Sequence, residues 1–317
     1  MTKLIERIHY FMDGPRKQKA RILPNITGQA ASSYIASRIR ERSTPFLLSR
    51  FGTSELSAFL PFVYNEMYGS ATLKKSIAYM SGYIDKYWID KSTTLGLERN
   101  AGFFPVNEES LNKYSELLFS IIPEIDLLGV WIGAELDILS YMPNCVTSEL
   151  SSLEPFRHSS PWSKELEGLK VLVISPFTQT IEQQYKARKL THPPSVALPE
   201  FELILLQAVQ SAAYESTEFS SWFEALNWMQ KSISKIDFDV ALIGAGAYGM
   251  PLASFIKTKL QKSALHIGGG LQLMFGITGD RWNNDPLINS FKNEFWVAPA
   301  PFERPKRWRE IEGGCYW

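Results

Sequence analysis

The chain has 317 residues, enough for one large α/β domain or two smaller ones. Its 33 Lys and Arg balance 33 Asp and Glu, which argues against a nucleic-acid backbone as the main partner, because neutralising phosphates leaves a basic excess. A composition 45% hydrophobic and 21% charged fits a packed core, and two cysteines, Cys145 and Cys315, are too few for a disulfide framework or a cysteine-built zinc site.

The zero net charge conceals an asymmetry. Residues 1–42 carry nine Lys and Arg against three acids, a surplus of +6 that the remainder offsets. Leu4, Ile5, Ile8, Phe11 and Met12 fall at helical spacing, so residues 1–43 read as a basic helical extension. Two uses suit it: docking on the main domain, or weak contact with an anionic membrane surface through residues 1–42. Charges interrupt its apolar run, so it does not read as a signal peptide, and no stretch resembles a membrane span of about 20 residues. The expected compartment is the cytoplasm, with a peripheral position on the inner face of the membrane as its variant.

Residues 44–317 read as one domain, with a Ser- and Pro-rich subdomain junction near 142–163. Pro45–Gly52 forms a short buried strand, after which Thr53 or Ser54 caps a helix carrying Leu56, Phe59, Leu60 and Val63 on its apolar face. Residues 70–120 read as largely helical with a loop around Asn100–Asn107, and Asp126–Ile132 as a second strand. Lys170–Ser175 is a near-continuous apolar run, as expected of a strand buried on both faces. Helical patterns follow at Ile181–Leu190, at Phe201–Ala213, and at Trp222, Ala225, Leu226, Met229 and Ile233. Asp239–Ile243 and Ala264–Ile267 are strands with a helix to Lys259 between them. This alternation predicts an α/β fold with a Rossmann-like, largely parallel sheet flanked by helices.

Two strand ends carry the chemistry. The first is Gly244-Ala245-Gly246-Ala247-Tyr248-Gly249, a G-x-G-x-x-G turn between strand and helix. Such glycines permit a tight turn and let a phosphate approach backbone N–H groups. NAD is not expected: no acidic residue stands between Pro251 and Gly279 to hold a ribose, and only 68 residues follow Gly249. The next strand ends in His266-Ile267-Gly268-Gly269-Gly270, where His266 suits a hydrogen bond to a diphosphate, a base, or a structural role. The other histidines, His9, His158 and His192, have no partner at metal-ligand spacing. The second strand end is Arg50-Phe51-Gly52-Thr53-Ser54-Glu55, which sets a cation, a glycine and a carboxylate where open α/β sheets bind ligands. Its simpler use is an Arg50–Glu55 pair capping the helix. Pro176–Tyr185 and Gly279–Asn283 are further candidates, the latter offering Arg281 for a diphosphate and Trp282 for a base or sugar face. The aromatic end Glu312–Trp317 either packs over the core or closes the groove.

The R-[FY]-G-x-x-E strand end, followed by V-x-L-I-G-A-G-x-x-G and then A-L-x-I-G, resembles the GT-D-fold bacterial glycosyltransferases over Phe46–Glu55 and Val171–Gly279. That resemblance implies a nucleotide-sugar donor, most naturally a nucleoside diphosphate sugar. It also implies a saccharide or glycoconjugate acceptor in surface-polysaccharide assembly, and a divalent cation (Mn or Mg) held by a D-x-E motif. Thr53 stands where the motif has its aspartate and only Glu55 matches, so Glu55 serves as metal ligand or as catalytic base. In this scheme Gly52, Gly244, Gly246, Tyr248, Gly249 and Gly268 cradle the donor, while Arg50, Arg281 or His266 stabilises the leaving nucleotide. The alternatives are a non-catalytic nucleotide- or sugar-binding scaffold and, with less support, a Rossmann-type oxidoreductase.

Overall fold

The computed structural model describes residues 23–193 and 198–317. The run from Leu4 to Met12, and with it most of the basic surplus and the membrane contact read into it, lies outside the described residues. Of the extension, helix α1 (Gly28–Arg40) is described; Ala31, Ile35 and Ile39 share its buried face. It docks on residues 146–165. Gly28 N–H donates to Ser152 Oγ (2.9 Å), Ser32 Oγ donates to the Ser160 carbonyl (2.8 Å), and Arg40 pairs with Glu165 (2.6 Å).

Seven strands are described: β1 (Leu47–Arg50), β2 (Leu127–Val130), β3 (Val146–Glu149), β4 (Lys170–Ser175), β5 (Glu202–Gln207), β6 (Val240–Ile243) and β7 (Ser263–His266). Every pairing is parallel, in the order β3-β2-β1-β7-β6-β4-β5. Helices α2 (Thr53–Tyr68), α3 (Leu73–Met80), α4 (Lys91–Ala101) and α5 (Glu108–Ile121) connect β1 to β2. Helices α6 (Thr178–Lys186) and α7 (Arg188–Thr191) follow β4, α8 (Trp222–Ile233) precedes β6, and α9 (Gly249–Leu260) joins β6 to β7. Two short helices, α10 (Gly270–Met274) and α11 (Pro286–Phe291), come after β7. The expected Rossmann-like α/β fold is what forms. Among the described residues no helix is long and apolar enough to cross a membrane.

Burial explains the apolar strands. Leu172, Ile174, Ala241 and Ile243 face a core shared with α2, α5, α8 and α9, whereas Val171, Val173, Leu242 and Leu265 face one shared with α1 and α6. Parallel strands covered on both sides alternate between cores rather than between core and water. After β1 and β6 the chain turns to one face, and after β7 and β4 it turns to the other. Open parallel sheets form their crevice at the carboxyl ends of such neighbouring strands.

Two segments depart from the sequence reading. Residues 201–213 look helical because Leu203-Ile204-Leu205-Leu206 is an unbroken apolar run, which periodicity alone does not resolve. The structure makes Glu202–Gln207 an edge strand, paired over six residues with β4. Within the Ser- and Pro-rich stretch 142–163, Val146–Glu149 adds β3 to the opposite edge of the same sheet. In both, an available sheet edge outweighs local composition.

Many of the aromatic residues serve the core. Trp222 stacks on Tyr248 (centroids 5.0 Å apart, planes at 9°) and meets Phe103 and Tyr114, each at 5.3 Å. All four rings are almost wholly buried. We expect Trp222→Ala to lower the unfolding free energy by about 3–5 kcal/mol in urea titrations, the usual range for deleting a large buried ring, and Trp222→Phe to cost less than half as much.

Candidate functional site

The carboxyl ends of β1, β7, β6, β4 and β5, with the loop after β2, enclose a cleft of about 160 Å³. This is less than the few hundred Å³ of a typical cofactor pocket, so a nucleotide-sized ligand would extend beyond it along the groove. At its centre stands Arg50, the last residue of β1. Its guanidinium lies over the Trp131 ring, 5.3 Å from the centroid. Its aliphatic stem runs past Gly268, where φ is +58° and an added Cβ would lie 3.4 Å from Arg50 Cδ.

Glu55 enters from the first turn of α2. Gly52, rather than Thr53 or Ser54, is the residue that caps this helix. The Glu55 carboxylate folds back over it so closely that a Cβ on Gly52 would lie 2.0 Å from Glu55 Oε2. A side chain at this position would displace the carboxylate from its place over the helix start. Burial raises the Glu55 pKa above the ordinary 4.5; the Arg50 charge opposes that rise and Glu312 adds to it. Arg50 and Glu55 act on each other through this field and not through a direct ion pair.

A second acid, absent from the sequence reading, completes the electrostatics. Glu135 is fully buried just after β2, and its Oε2 accepts the N–H groups of Trp131 and Ile132, both at 2.8 Å. Its Oε1 is buried without a hydrogen-bond partner. Desolvation raises its pKa, with the two backbone donors and Arg50 opposing. The signal that finds it is the rule that found Arg50 and Glu55: a carboxylate within one turn of a buried strand's carboxyl end.

The glycine motif serves packing as well as the cleft, where Gly244 and Gly246 are among the lining residues. An added Cβ on Gly244 would lie 2.8 Å from the Gly268 carbonyl oxygen, and one on Gly249 would lie 2.3 Å from His266 Nε2. The first and third glycines are therefore explained by contacts within the protein. Gly246 has φ +51° and lines the cleft. Tyr248 belongs to the core, its hydroxyl 3.1 Å from Ser211 Oγ and its ring against Trp222. Only the rim of that side chain reaches the cleft.

His266 lines the cleft in surroundings that suit the structural role, one of the three uses expected of it. It is 4% exposed, with Nδ1 3.0 Å from Ser49 Oγ. Burial, aided by the Arg50 charge, lowers its pKa to about 3. The ring is neutral at physiological pH, so it supplies no positive charge to a leaving group. Arg281 lies at the rim, where Nη1 donates to the Tyr316 hydroxyl (2.9 Å) and Nη2 pairs with Glu312. The Gln272 side chain holds the Tyr316 carbonyl at 3.1 Å, and Trp317 meets Phe177 edge-on at 6.2 Å. The segment 311–317 thus both packs on the core and walls the cleft. Trp282 is buried beneath Tyr316 and offers no free face. Of Pro176–Tyr185, Pro176 and Phe177 reach the cleft; Thr180 is tied to Glu303, and Glu182 to Lys186.

A resident divalent cation does not fit these residues. Among the described residues no group of three or more His, Cys, Asp or Glu is placed to hold a metal ion. Thr53 is exposed, and the one matching carboxylate, Glu55, lies in the field of Arg50. Bringing a dication there would set it against a fixed guanidinium, with Glu55 the one carboxylate of the motif left to hold it.

Two measurements check this geometry. Gly249→Ala is expected to destabilise by about 1–3 kcal/mol, as overpacking does, and His266→Ala to absorb most of that cost in a double-mutant cycle. For pH, the folded His266 resists protonation. Between pH 6.5 and about 3 the unfolded chain therefore binds more protons, and stability falls as pH falls. Denaturation across that window is expected to show a shallower acid loss in His266→Gln than in the wild type.

Compared with protein-family models, with curated proteins and with solved structures, the chain finds no match in any of the three, so its site is read from its own geometry.

Proposed function

We propose that the chain is a glycosyltransferase that takes its sugar from a nucleoside diphosphate donor and passes it to a saccharide or glycoconjugate acceptor of bacterial surface-polysaccharide assembly. One observation carries this reading: a carboxyl of raised pKa and a guanidinium share the centre of a cleft at the carboxyl ends of a parallel sheet, beside two left-handed glycine turns. In the transfer, the bond from the sugar's anomeric carbon to the diphosphate oxygen breaks, and its electron pair leaves with the diphosphate. Arg50 stabilises that charge, with the N-terminus of α9 and Arg281 beside it. The acceptor hydroxyl forms the new bond to the anomeric carbon, and its proton passes to Glu55. A raised pKa makes Glu55 a stronger base than an ordinary carboxylate. No step runs through a metal.

Thermal-shift titration provides the first test. At least one nucleoside diphosphate sugar should stabilise the protein equally in Mn²⁺ and in EDTA, with no response to NAD or NADP. Stabilisation by NAD(P) alone would overturn the reading. Glu55→Gln should keep donor binding and lose at least about 100-fold in transfer, the scale of general base catalysis. Transfer in the wild type should fall on acidification with a midpoint above 4.5, because Glu55 must be ionised to accept the proton. A Glu55→Gln variant that binds donor and transfers normally would remove Glu55 from the role of base, whereas donor binding with no transfer by the wild type to any saccharide acceptor would return the chain to the scaffold alternative.

A further inference from the structure

Trp131 is a large aromatic side chain left 48% exposed inside the cleft. Its one polar atom is already engaged, since the indole N–H donates to the Phe51 carbonyl at 3.0 Å. Its backbone N–H, with that of Ile132, is held by the buried Glu135 at 2.8 Å. Arg50 lies over the ring. The side chain is thus fixed in place, with no hydrogen bond left to offer, and the ring area that Arg50 leaves uncovered is exposed at the groove. Preorganisation of this kind lowers the entropic cost of binding, and the exposed ring gains by covering its apolar area.

We infer that Trp131 is the platform on which the acceptor's pyranose ring stacks. A pyranose carries a patch of C–H groups on one face, and their weakly positive hydrogens complement the negative face of an indole. The placement selects the acceptor over the donor base, and this step rests on the proposed transfer reading. Along the sheet the order runs β2, β1, β7, β6, β4. With strands spaced about 4.8 Å apart, Trp131 after β2 lies about 14 Å from the β6 turn. A diphosphate at the β7 and β6 turns puts the reacting sugar near Glu55, and the base then runs on toward β4 and β5. What meets Trp131 lies across Glu55 from the diphosphate, where the attacking hydroxyl must come from.

The test uses the full chain with two sets of probes. Saturation-transfer NMR follows methyl pyranosides of glucose, galactose and N-acetylglucosamine, and thermal shift follows UDP, GDP, ADP and TDP. At least one pyranoside should give signals strongest on its C–H face. Trp131→Leu should weaken its binding at least tenfold and Trp131→Phe should retain most of it, with nucleoside diphosphate binding unchanged in both. The inference is overturned by an absence of pyranoside binding, by a Leu variant that binds as well as wild type, or by a Leu variant that loses nucleotide to the same degree. Pyranoside binding at Trp131 without any nucleoside diphosphate response would instead sink the transfer reading and leave the platform standing.

Discussion

A guanidinium placed at the carboxyl end of a central parallel strand is the constraint around which this cleft is organised. Arg50 is half-buried, and a charge so placed needs compensation from its surroundings. It draws on the Trp131 π face, on the field of two desolvated carboxyls, Glu55 and Glu135, and on a neighbouring histidine that stays neutral. Gly268 adopts a left-handed backbone where the Arg50 side chain passes. An anionic ligand would add to this set a direct ion pair with the guanidinium.

The same constraint accounts for the protonation states. His266 would be an obvious acid–base group on an open surface, but beside Arg50 and under α9 its charged form is disfavoured twice, by burial and by like charge. Glu55 experiences the opposing forces of burial and Arg50, and burial is the larger. Between Glu55 and His266, the carboxyl is thus the one suited to accept a proton.

The glycines illustrate how a motif carries more than one message. The spacing G-x-G-x-x-G is commonly taken as a phosphate cradle. Here Gly244 makes room for the Gly268 carbonyl and Gly249 for the His266 ring, while Gly244 and Gly246 both line the cleft. Close packing between the β6 and β7 turns uses the same residue type as close approach to a phosphate, because both require the absence of a Cβ. Sequence cannot separate the two uses.

The amino-acid sequence by itself determined the fold class, since short, β-branched apolar runs such as Lys170–Ser175 and Asp239–Ile243 alternate with helical patterns, as buried parallel strands do. It also located Arg50, Gly52 and Glu55, because a strand end followed by a capped helix is a local pattern. Edge strands β3 and β5 escaped it, their stability coming from a neighbour's free edge and not from their own composition. Tertiary structure alone decided that Trp131 joins the site, that the Tyr248 ring packs largely in the core, that Trp282 is buried, and that 311–317 walls the cleft. Periodicity and spacing describe what a residue does to its own segment, whereas desolvation and the reach of a charge depend on groups that only the folded sheet brings together.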